Sequence, residues 1–149
     1  MGYTHYFWRK PELDKDKFAE AVADCKKLCE ASGVALAYEY DEPEKLPLFD
    51  HDLVRFNGVG DDGYETFVVP LVADSRTWGQ VSDDGRVFAF CKTACKPYDL
   101  AVTGCLLVFK HHFGENFTVS SDGDAKDWKP AQQLCLKVLG WKLSRFLRE

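Results

Sequence analysis

The stretch Ala101–Phe109 is apolar at nearly every position, with Pro97 shortly before it and Gly114 shortly after it. Proline fits the first turn of a helix, where its missing N–H costs nothing, and glycine stops one. The segment therefore reads as a helix from Pro97 to about Phe113, with Asp99 near its positive end. A helix apolar all round cannot lie on a surface; it has to be central and packed on more than one side.

The rest of the chain supplies what packs around it. Gly2–Trp8 is aromatic and β-favouring and reads as a strand, broken by Pro11. Asp14 caps a helix to about Ala31, with Phe18, Val22, Cys25 and Cys29 on one face and Gly33 closing it. Val34–Tyr40 reads as a strand. Asp41–Asp52, acidic and holding Pro43 and Pro47, reads as a surface loop. Leu53–Phe56 and Glu65–Val69 read as strands joined across the Gly58–Gly63 turn. Pro70–Trp78 carries no clear signal. Arg86–Phe90 and Phe117–Ser120 complete the strands, and a last helix starts at Trp128 or Pro130. Its basic tail, Trp141–Glu149, continues helically. The order β-α-β-β-β-β-α-β-α lacks regular βα alternation. It predicts a single α+β domain over residues 1–149, a mainly antiparallel sheet with about three helices on one face.

Composition narrows the function classes. Of 149 residues, 46% are hydrophobic and 29% charged, which excludes a disordered or collagen-like chain. The longest apolar stretch, Cys105–Phe109, is far short of the ~20 residues of a membrane span. Nineteen basic against 24 acidic residues give a net charge of −5, which argues against non-specific duplex binding. Met1–Trp8 is not a signal sequence, so a cytoplasmic, reducing setting is expected. Six cysteines are too few for a disulfide scaffold. Cys25, Cys29, Cys105 and Cys135 fall on apolar helical positions and read as small core residues. The three-residue gaps of Cys25/Cys29 and Cys91/Cys95 are compatible with zinc, but the first pair lies mid-helix, and no metal or other cofactor is expected.

The most informative segment is Cys91-Lys92-Thr93-Ala94-Cys95-Lys96-Pro97-Tyr98-Asp99, between a strand and the N-terminus of the buried helix. Free N–H groups and the helix dipole favour anions there, and Lys92, Thr93 and Lys96 add two charges and a hydroxyl. The glycines of a Walker loop are missing. Arg55, unusual within a strand, either pairs with Glu65 or presents its guanidinium fork to a phosphate or carboxylate. Asn57-Gly58 is first a turn signal. Strand alternation puts His5 with Tyr3 and Phe7 on one face and Thr4, Tyr6 and Trp8 on the other. His5 is either a core histidine or an acid–base group, and His51, His111 and His112 are not placed to pair with it. Ser120–Asp127 fails the EF-hand pattern, and Asp122 or Asp124 reads instead as a helix cap.

The segments Gly2-Tyr3-Thr4-His5-Tyr6, Arg55-Phe56-Asn57-Gly58, Glu65-Thr66-Phe67, Phe90-Cys91-Lys92-Thr93-Ala94, Lys96-Pro97-Tyr98-Asp99 and Ser120-Ser121-Asp122-Gly123-Asp124 together resemble a family of small uncharacterised bacteriophage and bacterial proteins. The position of Cys95 is commonly basic in that family. The resemblance brings an origin and a set of positions without a reaction. It implies a viral protein of the host cytoplasm, where small phage proteins hold, cleave or shield molecules of host defence. The expectation is a binding protein that sequesters a phosphorylated nucleotide messenger, a cyclic oligonucleotide or an ADP-ribose-like signal. Lys92, Thr93, Lys96 and Arg55 would grip phosphate, and His5, Tyr6, Asn57 and Tyr98 would meet base or ribose. The alternatives are a metal-independent hydrolase of such a nucleotide, with His5 as its acid or base, and an acidic inhibitor that binds a protein through Asp41–Asp52. Oligomeric state stays open, a homo-oligomer included.

Overall fold

A computed structural model describes residues 3–73 and 81–141. The expected helical tail beyond Trp141 and most of the Pro70–Trp78 stretch lie outside the described residues. In chain order the elements are β1 (Thr4–Arg9), α1 (Lys15–Ala31), β2 (Leu36–Ala37), β3 (Leu48–Asp50), β4 (Leu53–Gly58), β5 (Phe67–Pro70), β6 (Val87–Lys92), α2 (Asp99–Phe113), β7 (Phe117–Ser121) and α3 (Ala125–Leu139). Short 3-10 turns occupy Gly60–Asp62 and Gly114–Asn116. The fold is α+β with antiparallel sheets and three helices among the described residues.

Four expectations need correction. The strands form two antiparallel sheets, β6-β1-β7 and a second one in which β4 pairs with β2, β3 and β5. The expected loop Asp41–Asp52 contains β3, which pairs Leu48 with Arg55 and Asp50 with Leu53. The strand expected over Val34–Tyr40 shrinks to Leu36–Ala37, because the chain turns after it: Tyr38 N–H donates to Lys45 O and Lys45 N–H to Glu42 O. The last helix starts at Ala125, three residues before Trp128. Asp124 accepts from the Lys126 and Asp127 amides, while Asp127 accepts from the Asp124 amide, a reciprocal capping box.

Helix α2 is as central as its composition demands. Every residue from Ala101 to Phe109 is buried, and α2 packs against α1, α3 and β7. At Gly104 a Cβ would come 2.3 Å from Leu28 Cδ2 on α1, so glycine sets how closely these two helices approach. Asp14 caps α1 by accepting from the Lys17 amide, and Gly140, at φ +77°, ends α3. A chain of phenylalanine rings joins the layers. Phe18 meets Phe109 at 5.7 Å, Phe109 meets Phe117 at 5.2 Å, and Phe117 stacks on Phe7 at 5.2 Å. Phe7 then contacts Phe67 at 6.3 Å, which couples the first sheet to the second. Each ring buried this way contributes roughly 2–3 kcal/mol. Arg9, fully buried at the end of β1, closes the same seam: its guanidinium donates to the carbonyls of Lys10, Pro11, Pro70 and Leu71. Burial pushes its pKa down to about 10.

Candidate functional site

The segment between β6 and α2 forms a tight turn closed by the Lys96 amide on Thr93 O. Its middle residues, Ala94 and Cys95, hold left-handed φ values of 54° and 60°. Each costs about 1–2 kcal/mol without glycine. The Thr93 and Ala94 amides both donate to Tyr3 O, and the Thr93 hydroxyl donates to Asp99 Oδ1 at 2.6 Å. Those bonds offset the strain. They fix where Lys96 leaves the chain and where α2 begins.

Asp99 Oδ1 also accepts from His5 Nε2 at 2.6 Å, and His5 Nδ1 meets Ser121 Oγ at 2.7 Å. His5 is completely buried, edge-on to Tyr3 and Trp128. Ser121 Oγ accepts from the Gly123 amide. A Cβ at Gly123 would lie 2.1 Å from the Tyr3 hydroxyl, so this glycine makes room for that ring. Burial, then the charges of Asp99 and Asp127, raises the Tyr3 pKa and keeps its phenol neutral. A relay thus runs from Ser121 through His5 to Asp99, and Asp99 ends in a cleft of about 280 Å³ walled by Tyr3, Lys96, Leu100 and Asp127.

On the other side of Lys96 a second cleft, about 430 Å³, is lined by Tyr40, Gly60, Asp61, Gly63, Tyr64 and Glu65. Tyr40 and Tyr64 are both about half exposed, at 50% and 48%. Lys92 Nζ stands 5.9 Å from the Tyr64 ring centre. The wall is built by Asn57, which is buried and uses its whole amide. Its Oδ1 accepts from the Gly58 and Tyr64 amides, and its Nδ2 donates to Tyr64 O and Thr66 Oγ1. Gly58 and Gly63 cross so closely that a Cβ on either would strike the other's backbone neighbourhood, at 2.3 Å from Asp62 O for Gly58 and 2.7 Å from Gly58 O for Gly63. Glu65 ties the wall to the turn, accepting from the Lys92 amide with Oε1 at 2.7 Å and from the Tyr98 hydroxyl with its carbonyl.

The residues singled out from sequence fall into four places. Lys96 lines the tyrosine cleft, and Lys92 stands beside the Tyr64 ring. His5, Asn57, Thr93 and Tyr98 are buried, their polar atoms satisfied by the protein itself. Tyr6 lies on the opposite face of its sheet from His5, stacked on Phe88 and donating to Asp122 Oδ1 at 3.0 Å. Arg55 pairs with Glu39 at 3.2 Å, not Glu65, and lies over the Tyr38 ring, with its Nε buried and without a hydrogen-bond partner. Burial raises the Tyr98 and Cys91 pKa values, so neither is a ready nucleophile or base. Cys95 is exposed, and its thiol is pushed up by its surroundings and by Asp99 and Asp127. Tyr40 and Tyr64 were missed, because an aromatic residue beside Asp, Glu and Gly gives no periodic signal. The signal available was the pair of glycines bracketing a turn that ends in Tyr64. Among the described residues, the one group of three metal-capable side chains is Asp50, His51 and Asp52, exposed on the β3–β4 turn.

No protein-family model, curated protein or solved structure matches the chain.

Proposed function

We propose that the protein binds and holds a small phosphorylated nucleotide in the cleft between Tyr40 and Tyr64. The observation that carries this reading is the conjunction of two half-exposed tyrosine rings with Lys96 in the cleft wall and Lys92 beside Tyr64. Base stacking on an aromatic ring contributes about 1–3 kcal/mol, and a lysine adds a charge-assisted bond to phosphate. Asp61 and Glu65 are acceptors for ribose hydroxyls or exocyclic amines. The resemblance to small phage proteins points to a signalling nucleotide as cargo and to sequestration as the purpose. Holding such a ligand needs affinity and no reacting group in the cleft. Titration calorimetry with cyclic oligonucleotides and ADP-ribose tests it: Lys96→Ala and Tyr64→Ala each weaken binding about tenfold or more. Unchanged affinity in both variants would sink the proposal.

A second reading, hydrolysis of the same ligand class, is favoured by the contacts of His5 with Ser121 and Asp99. There His5 takes the Ser121 proton and Asp99 steadies the resulting imidazolium. It requires that His5→Gln stop turnover while leaving affinity in place.

A further inference from the structure

Four of the six cysteines are buried where the three helices meet: Cys25 and Cys29 on α1, Cys105 on α2 and Cys135 on α3. Their placement is independent of the tyrosine cleft. We propose that Cys29 and Cys105 form a peroxide-responsive dithiol that closes to a disulfide between α1 and α2, and that the cleft beside Cys29 admits an organic hydroperoxide to it.

Three observations carry this. The Cys29 and Cys105 sulfurs are in contact at 3.6 Å. Closing to the ~2.05 Å of a disulfide takes an approach of the two sulfurs of about 1.5 Å. Cys29 lines an open cleft of about 450 Å³, whereas Cys25 is fully buried and lines none of the described clefts. That cleft is mostly apolar, walled by Val34, Leu36, Leu46, Pro47, Leu48 and Phe49 with Lys26 and Glu30 as its charged members, and its apolar part suits a hydroperoxide with a hydrocarbon body.

The chemistry balances with one co-reactant. The Cys29 thiolate attacks the terminal oxygen of ROOH, the O–O bond breaks and ROH leaves with a proton, giving a sulfenic acid. The Cys105 sulfur then attacks the Cys29 sulfur and expels water. Two thiols and ROOH become a disulfide, ROH and water. Burial and mutual contact hold both thiols protonated at neutral pH. The reactive thiolate is therefore scarce, and the rate climbs about tenfold per pH unit below the thiol pKa.

The test treats the reduced protein with cumene hydroperoxide and follows intact mass, peptide maps and thermal unfolding. The expected result is loss of the mass of two hydrogens, a Cys29–Cys105 linked peptide, and a rate rising with pH between about 7 and 9. Because the bond spans 76 residues, the unfolding midpoint should rise on the order of 10 °C and fall back with dithiothreitol. Cys135→Ala keeps the bond and Cys29→Ala abolishes it. Relative to their rates with free cysteine, cumene hydroperoxide should outpace hydrogen peroxide about tenfold. A different pair in the peptide map, or no mass loss, overturns the dithiol, and the wild-type map decides this even if a variant misfolds. Equal normalised rates overturn the role of the cleft.

Discussion

Asn57 shows how one side chain can stand in for a stretch of backbone pairing. Its amide makes both of its donor and both of its acceptor contacts inside the protein, three of them to the backbone of Gly58 and Tyr64. Alanine there would leave the buried Gly58 amide and the part-buried Tyr64 amide and carbonyl without this partner, each costing about 1–3 kcal/mol if no water enters. Asn57→Ala should therefore lower stability by about 2–4 kcal/mol in urea unfolding. Asn57→Asp should also destabilise, since a carboxylate cannot donate to Tyr64 O. A loss under about 0.5 kcal/mol for either would show that the turn holds Tyr64 without this residue. The Asn-Gly signal was legible as a turn. What the asparagine does was not, because its partners Tyr64 and Thr66 come from the far side of that turn, and their pairing depends on Gly63 allowing the chain to cross. His5 repeats the pattern: alternation put it on one face with Tyr3 and Phe7, but Asp99 and Ser121 arrive from 94 and 116 residues away.

At the scale of elements, the α1–α2 contact is set by Gly104. Glycine within a helix costs roughly 1 kcal/mol against alanine, so Gly104→Ala would gain that much on an open helix. Here the new methyl meets the end of the Leu28 side chain, which is fully buried and can shift only against its own packing. Overpacking costs about 1–3 kcal/mol, and the balance falls on the destabilising side. Gly104→Ala should lower the thermal midpoint by a few degrees. The same change in a Leu28→Ala background should be neutral or stabilising, because the clash is gone. A higher midpoint for the single variant would contradict this packing. The helices were readable from period, caps and stops, which are local quantities. The three-residue β3 was not: Pro43, Pro47 and four acidic residues between Asp41 and Asp50 read as a loop, and Leu48–Asp50 becomes a strand only because β4 lies beside it. The division into two sheets is likewise a matter of partners, which alternation does not specify.

For the whole molecule, the two sheets meet through phenylalanine rings and the buried Arg9, the helices fill the space against them, and the turn before α2 places Lys96 between two clefts. The lysines of the candidate site were visible in the sequence as charges ahead of a buried helix. The tyrosines opposite them come from other parts of the chain, and only the folded arrangement brings them together. The proposed role of this assembly is to hold a phosphorylated nucleotide. The most direct measurement incubates the purified protein with cyclic oligonucleotides and ADP-ribose derivatives, removes unbound material, denatures the protein by heat and identifies what is released by mass spectrometry. One intact nucleotide should be released in stoichiometric amount, and none from protein carrying both Lys92→Ala and Lys96→Ala. Release of nothing from the wild-type protein, or equal release from the double variant, would contradict it.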